Sequence, residues 1–123
     1  MLQIVKKEDN SGYGSILCDL GLSCNKAIMI SEAVSGESVD GYIIYEFDGD
    51  AVKIYDANSN FDIMLLDGLV RSALFLAAMS GIEKAVFETK DKADFISLGF
   101  ITDSSNVLEP ISEKLSSCSG CKH

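Results

Sequence analysis

The sequence predicts an α/β (α+β) domain in which a mixed, mostly antiparallel sheet is flanked by helices. Residues 39–47 and 51–55 are rich in aromatic and β-branched side chains, and the Asp-Gly pair at 48–49 between them is a strong signal for a short β-hairpin. From residue 63 to residue 79 the apolar side chains recur at helical spacing instead. A short apolar run at residues 85–87 then indicates a further strand, so strands and helices alternate along the chain.

The N-terminal part predicts shorter elements. Residues 2–6 alternate weakly, as a first strand would, and residues 13–22 carry apolar side chains at helical spacing. Residues 27–30 form a compact apolar run that is consistent with a buried strand, and the chain turns at residues 35–37. The economical arrangement places this strand and the two hairpin strands side by side, all of them antiparallel.

The long apolar helix is predicted to belong to a protein core. Asp67 and Arg71 interrupt its apolar sequence, and burying both charges in lipid would be costly, so a membrane span is not expected. As an acid-first pair at i,i+4 they support the helix, which Gly81 is placed to end. Residues 91–98 predict a short helix, and residues 100–102 predict the beginning of a final strand.

Size and charge limit the functions that the chain is expected to have. Its 123 residues, 47% of them hydrophobic, predict one domain, residues 1–115, followed by a flexible tail, residues 116–123. The 10 basic and 19 acidic residues give a formal charge of −9, so nucleic acid is not an expected partner. No long apolar stretch follows a basic start, so no signal peptide is expected. The four cysteines then predict free thiols in a reducing cytoplasm.

The order of these elements resembles that of the Gcn5-related N-acetyltransferase superfamily over roughly two thirds of the chain. The resemblance is carried by the hairpin at residues 37–56, the long helix ending at Gly81, the strand at 82–87 and the sequence Ser-Leu-Gly-Phe at 97–100. In that family acetyl-coenzyme A lies between two splayed central strands, and backbone N–H groups at the start of the long helix bind its pyrophosphate. The resemblance therefore implies transfer of an acetyl group from acetyl-coenzyme A to a small-molecule or protein amine.

By the same resemblance, the coenzyme would be bound where the second hairpin strand leads into the long helix. The family's pyrophosphate loop, Gln/Arg-x-x-Gly-x-Gly/Ala, falls on residues 61–66 when counted back from Gly81 without gaps. There Phe61 replaces the basic residue, and Met64 and Leu66 replace the glycines. Asp62 adds a negative charge, for which the alternative interpretation is an acid that favours a helix N-terminus. The candidate cofactor-binding residues are Tyr55, Asp56, Ala57, Asn58, Asn60, Phe61, Asp62 and Ile63.

Two catalytic roles are also implied by the resemblance. The general acid of the family is often a tyrosine four residues before the Gly of Leu-Gly-Phe, and this position is Phe95, which cannot donate a proton. The general base is usually a carboxylate, or a water bound to one, on the central strands. Glu46 and Asp56 are the candidate bases, with Glu32 next. For each of them the alternative is a solvated acid at the end of a strand.

A cysteine tail, Cys118-Ser-Gly-Cys121-Lys-His123, ends the chain. The two-residue spacing allows both sulfurs to face one soft metal, but a single Cys-x-x-Cys supplies only half of a closed zinc site. Zinc is therefore not the expected occupant, although Cys18 and Cys24 are available to complete four ligands. A reversible disulfide between Cys118 and Cys121 and an exposed terminus whose thiols have no fixed partner are the alternatives.

Three functions remain open at the level of the sequence. The first is an acetyltransferase, which needs an open cleft between the strands at residues 51–56 and 84–88 and free N–H groups near residues 60–63. The second is a non-catalytic binding module on the same scaffold, in which Phe61, Met64 or Phe95 closes the cleft. The third is a metal- or redox-responsive protein in which the cysteine tail supports a homodimer.

Overall fold

A computed structural model describes residues 2–8, 11–22 and 27–116 of the chain. In this part, six strands form one sheet whose order follows the sequence: β1 (Leu2–Lys6), β2 (Ile28–Ser35), β3 (Ser38–Asp48), β4 (Ala51–Asn58), β5 (Lys84–Phe87) and β6 (Val107–Leu108). Neighbouring strands are antiparallel except β4 and β5, which are parallel. The α-helices are α1 (Gly14–Asp19), α2 (Ile63–Met79), α3 (Ala93–Ser97) and α4 (Ile111–Ser116), and the 3-10 turn Ser11–Tyr13 precedes α1. The predicted fold class is confirmed.

The three central antiparallel strands form where the sequence predicted them. The turn between β3 and β4 contains Gly49 with a φ of +62°, a conformation that glycine adopts without steric cost. Gly41 on β3 is required for a different reason, since a Cβ atom there would lie 2.5 Å from the carbonyl oxygen of Asn58. This close approach fixes the end of β4 against β3.

Helix α2 covers one face of the sheet. It begins after Asp62, whose side chain accepts hydrogen bonds from the N–H groups of Met64 and Leu65, and it ends at Ser80 and Gly81, which has a φ of +84°. The predicted pair forms, with Arg71 Nε 3.0 Å from Asp67 Oδ2. Within the described residues, no helix combines the length and the apolar character that crossing a membrane requires. The buried residues of α2 are Leu65, Leu66, Leu69, Val70, Ala73, Leu74 and Ala77.

The opposite face of the sheet is covered by α1 and the 3-10 turn. Tyr13 and Leu17 pack there against Ile28, Ile30 and Ile44, which are all buried. Because α1 is only six residues long, it covers a limited part of this face. Polar side chains of β2, β3 and β4 occupy the rest, as described below.

The prediction of a final strand at residues 100–102 is wrong. Thr102 makes only an isolated bridge with Ser105, and the last strand, β6, comes later and has two residues. Phe100 is instead a core residue, 1% exposed, stacked at 6.1 Å from the ring of Phe87. Packing of this side chain, rather than β propensity, decides the local conformation. Helix α4 was not predicted either, and its buried Ile111 packs with the α2 core.

Candidate functional site

Strands β4 and β5 separate after Ile54 and Phe87, which leaves an opening between them. The parallel register ends with Ile54 opposite Phe87, and the N–H of Glu88 donates a last hydrogen bond to the carbonyl of Ile54 at 2.8 Å. Strand β4 continues to Asn58 without a β5 partner. Because backbone groups at the end of a parallel pair are left unpaired, this position is a natural place for a ligand.

Two adjoining cavities, of about 220 Å³ and 270 Å³, follow the open edge of β4. They share Ala57, Leu66 and Asp94, so they form one channel, which we name the β4 groove. The inner cavity is lined by Leu20, Tyr55, Asp56, Ala57, Leu66, Thr89, Lys90, Asp91, Asp94 and Phe95. The outer cavity continues along the loop before α2 to Phe61.

A β-bulge at Tyr55 shapes the inner end of the groove. Ile44 lies opposite Asp56 and the next residue of β3, Tyr45, lies opposite Ile54, which leaves Tyr55 as an extra residue on β4. The bulge places Tyr55 and Asp56 on the sheet face that α1 covers, although they are consecutive in sequence. Bulges of this kind re-aim side chains and are frequent beside active sites.

Asp56 combines burial with a position in the groove. Its carboxylate is partly buried and accepts a hydrogen bond of 3.2 Å from the hydroxyl of Tyr42. Burial raises the pKa of the Asp56 carboxyl, while hydrogen bonds from Tyr42 and from the backbone of Ala57 oppose the rise. A carboxylate whose pKa is raised is better suited to accept a proton near neutral pH. Of the predicted bases, Asp56 is the one that lines the groove.

The other two candidate bases are engaged by tyrosines on the same face. The hydroxyl of Tyr55 donates to Glu46 at 2.6 Å, and the hydroxyl of Tyr13 donates to Glu32 at 2.5 Å. Burial, followed by the effect of the Glu46 carboxylate, raises the pKa of Tyr55, so this phenol stays protonated and acts as a hydrogen-bond donor. With the pair formed by Tyr42 and Asp56, these contacts make three tyrosine–carboxylate pairs side by side, which we name the tyrosine–carboxylate row.

The sequence predicted that Phe61, Met64 or Phe95 closes the cleft in a non-catalytic protein, and none of these side chains fills the groove. Phe61, at the outer end of the groove, is fully exposed and Met64 is 70% exposed, so neither side chain closes it. Phe95 does line the inner cavity, with its ring 5.2 Å from that of Phe87. It narrows the groove without filling it and offers no proton donor.

Four N–H groups in and just before the first turn of α2 are already bound. Oδ1 of Asp62 accepts from the N–H groups of Met64 and Leu65, both at 3.1 Å. The N–H of Asp62 donates to the carbonyl of Ser59 at 3.0 Å, and the N–H of Asn60 donates to Oδ1 of Asn58 at 2.9 Å. Asp62 therefore acts as the helix N-cap, which is the alternative interpretation given to it from the sequence.

Sequence reasoning missed the wall of the groove that faces β4. Thr89, Lys90, Asp91 and Asp94 line the inner cavity and come directly after β5 and at the start of α3. Segments that follow two neighbouring parallel strands meet at the same edge of a sheet, so residues 89–94 could have been placed beside the end of β4 once β4 and β5 were assigned as parallel neighbours.

The structure does not test the metal prediction for the cysteine tail. Cys118 and Cys121 lie outside the described residues, as does Cys24, whereas Cys18 is an exposed free thiol on α1. Within the residues that are described, no group of three or more His, Cys, Asp or Glu side chains is placed to hold a metal ion.

Solved structures of acetyltransferases share this arrangement of strands and helices. The ribosomal-protein-S18-alanine N-acetyltransferase from Escherichia coli superposes with a TM-score of 0.63 over 89% of this chain and 94% of its own, at 11% sequence identity. The chain has the fold of the Gcn5-related N-acetyltransferases. No protein-family model matches the sequence, and no curated protein matches it.

Two further structures support the acetyltransferase fold. The PaiA N-acetyltransferase from Thermoplasma acidophilum, in complex with coenzyme A, has a TM-score of 0.55 over 76% of this chain and 65% of its own, at 13% identity. An acetyltransferase of the GNAT family from Staphylococcus aureus Mu50 has a TM-score of 0.54 over 79% of this chain and 77% of its own, at 10% identity. At sequence identities of 10–13%, the likeness to these structures shows the fold alone.

The residues present fit one part of acetyl-coenzyme A and not the other. The unpaired β4 edge and the groove suit an extended, uncharged arm that carries amide groups. At the start of α2, where the family resemblance implies the pyrophosphate, the N–H groups of Met64 and Leu65 are already bound by Asp62. The same region carries no Lys or Arg from residue 54 to residue 70.

Proposed function

We propose that this protein is an N-acyltransferase that takes a pantetheine thioester, such as acetyl-coenzyme A, in the β4 groove and acylates an amine. The observation that carries the proposal is the bulge at Tyr55 in a strand that separates from its parallel partner. This geometry opens a groove that is lined by Asp56. The likeness of fold to N-acetyltransferases supports the same reaction class.

Binding of the thioester arm is assigned to the backbone of β4. Residues 55–58 have no β5 partner, so their outward backbone groups, other than the Ala57 N–H that donates to Asp56, can pair with the amides of an extended ligand as another strand would. Leu66 and Phe95 supply the apolar walls of the groove. When bound, the thioester supplies the acyl carbon that the amine nitrogen attacks, with formation of a C–N bond and cleavage of the C–S bond.

Asp56 is assigned the role of general base. Asp56 lines the groove, burial raises the pKa of its carboxyl, and the hydroxyl of Tyr42 donates a hydrogen bond that orients the carboxylate. It takes the proton that the amine must lose. The departing thiolate takes a proton from water in this scheme, because Phe95 stands where a proton donor would be needed.

The amine acceptor is assigned to the face that carries the tyrosine–carboxylate row. A protonated amine is attracted to carboxylates and to the faces of aromatic rings, and this surface offers both. The overall charge of −9 favours the approach of a cationic small molecule or a basic protein segment.

The proposal is tested by measuring thiol release from an acetyl thioester in the presence of a panel of amines. Asp56→Asn is expected to lower kcat by about 100-fold or more, which is the usual contribution of general base catalysis. Asp50→Asn is the matched control, since it removes the same charge at the opposite end of β4. Equal rates for the two variants would reject Asp56 as the base, and no amine-dependent thiol release would reject the enzyme.

A second candidate is a non-catalytic binding protein on the acetyltransferase fold. It is favoured by the bound N–H groups at the start of α2 and by Phe95 in the groove. This candidate predicts that a ligand occupies the groove without turnover. Binding of an amine or a thioester in calorimetry, together with no thiol release, would support it over the enzyme.

A further inference from the structure

We infer that Asp62 keeps phosphate groups away from the start of α2, so that the donor is recognised by its uncharged pantetheine arm and acyl group. The nucleotide half of coenzyme A then adds no affinity. The inference rests on the proposed function, because it concerns which donor the same groove accepts. Asp62 is thereby a residue that determines donor specificity, and it acts through the helix terminus that it caps.

The first step concerns hydrogen bonding. A phosphate binds at a helix N-terminus because unpaired backbone N–H groups point at it and the helix dipole favours negative charge. Here the Asp62 carboxylate already accepts from the N–H groups of Met64 and Leu65, while the N–H groups of Asn60 and Asp62 donate to Asn58 and Ser59. An incoming phosphate would have to compete with the Asp62 carboxylate for two N–H groups of the first turn and for the positive end of the helix dipole.

The second step concerns charge, and it is independent of the first. Asp94 lies at the junction of the two cavities, so a ligand that extends from the inner to the outer end of the groove passes it. The outer cavity is lined by no Lys or Arg, and Lys90 belongs to the inner one. A ligand with several phosphates would therefore meet the Asp94 carboxylate in the groove, without a cation at the outer end.

The third step concerns the backbone of the loop. Asn60 and Phe61 have φ values of +52° and +67°, in the left-handed region that is uncommon for residues other than glycine. This conformation sends the Phe61 side chain into solvent and places Asp62 in the extended geometry of an N-cap, with φ −92° and ψ 101°. The loop is thus shaped to present the Asp62 carboxylate to the helix, at the cost of two unfavourable backbone conformations.

The experiment compares acetyl-coenzyme A with S-acetylpantetheine, which has the same acyl group and arm without phosphates or nucleotide. Dissociation constants are measured by calorimetry for the unmodified protein, for Asp62→Asn and for Asp62→Gly. Asn keeps the cap and removes the charge, whereas Gly also frees the N–H groups of Met64 and Leu65 with little loss of helix stability. Asp50→Asn again controls for net charge, and thermal unfolding confirms that each variant is folded.

We expect the unmodified protein to bind acetyl-coenzyme A no more tightly than S-acetylpantetheine, within about threefold. In Asp62→Gly the affinity for acetyl-coenzyme A should rise by about tenfold, with a smaller rise in Asp62→Asn, because a removed charge and two freed donors favour the phosphates. The affinity for S-acetylpantetheine should stay unchanged in both. At higher salt the gain should shrink, since the interaction is electrostatic.

The outcomes separate this inference from the proposed function. If acetyl-coenzyme A binds the unmodified protein more than tenfold more tightly than S-acetylpantetheine, the inference is overturned and the proposed function stands. If neither thioester binds the unmodified protein but Asp62→Gly binds acetyl-coenzyme A, the exclusion of phosphates by Asp62 is supported, whereas recognition of the pantetheine arm and the acyltransferase are both rejected. If no thioester binds any of the variants, both are rejected.

Discussion

Replacing the Asp62 side chain measures how much its hydrogen bonds and charge at the start of α2 stabilise the protein. In Asp62→Ala the N–H groups of Met64 and Leu65 lose the carboxylate that accepts both of their hydrogen bonds at 3.1 Å. Met64 is exposed, so water can replace the lost acceptor there, whereas Leu65 is buried. The cost of the missing cap is about 1 kcal/mol. Loss of the negative charge beside the helix dipole adds roughly 0.3–1 kcal/mol. The expected destabilisation is therefore about 1–2 kcal/mol.

This free energy converts into a shift of the unfolding temperature. A chain of 123 residues has an unfolding entropy of roughly 0.26 kcal/mol per kelvin at about 2.1 cal/mol/K per residue. Asp62→Ala should then lower Tm by about 4–8 °C in differential scanning calorimetry. Asp62→Asn keeps an oxygen that can accept and loses only the charge, so its Tm should fall by about 1–4 °C.

The series is informative because the two substitutions remove different parts of one interaction. A Tm for Asp62→Ala within 1 °C of the unmodified protein would mean that the carboxylate does not hold the two N–H groups in solution. The reasoning that phosphates are excluded from this terminus would then fail as well. Equal shifts for Ala and Asn would instead assign the effect to charge alone.

Three further predictions follow from other parts of the structure. Asp56→Asn should raise Tm at neutral pH and have little effect below about pH 3, because burial raises the pKa of Asp56 and its ionisation therefore opposes folding as pH rises. Thermal scans from about pH 2 to about pH 8 check this. Gly41→Ala should destabilise the protein by about 2–3 kcal/mol, because the new Cβ atom would lie 2.5 Å from the Asn58 carbonyl oxygen. Gly12→Ala is the control and should leave stability unchanged, since the space around Gly12 is open. Denaturant titration compares the two variants, and equal unfolding midpoints would contradict the close contact between Gly41 and Asn58. If the cysteine tail holds a metal between two chains, a chelator should convert dimers to monomers in light scattering, and a mass unaffected by chelator would reject that role.

The elements that local chemistry specifies could be predicted from the sequence. The hairpin of β3 and β4 depends on an Asp-Gly pair, and Gly49 does adopt a positive φ there. Helix α2 depends on apolar spacing, on Asp62 at its start and on Gly81 after its end, and all three signals lie within the segment itself. Such features need no knowledge of what the segment packs against.

Features that depend on distant contacts could not be predicted. Phe100 and Ile101 have the composition of a strand, but they are buried against the α2 side of the core, and β6 forms only where Val107 and Leu108 reach β5. The bulge at Tyr55 is equally invisible in sequence, because it is defined by the register of β4 against β3. The candidate site depends on this register more than on any residue type, which explains why Glu46 and Asp56 were equal candidates before the structure separated them.

The two ends of the β4 groove are specified in different ways, and this difference decides what the fold can say about activity. The inner end is made by the backbone, through the bulge and the separation of β4 from β5, and many sequences can satisfy that geometry. The outer end depends on which N–H groups at the start of α2 are free, and the side chain of Asp62 decides this for Met64 and Leu65. A likeness of fold at 11% identity supports the backbone geometry of the inner end but gives no information about the side chain at the outer end. The identity of the donor therefore depends on Asp62 and its neighbours. Comparing the affinities for acetyl-coenzyme A and S-acetylpantetheine tests the role of Asp62 directly.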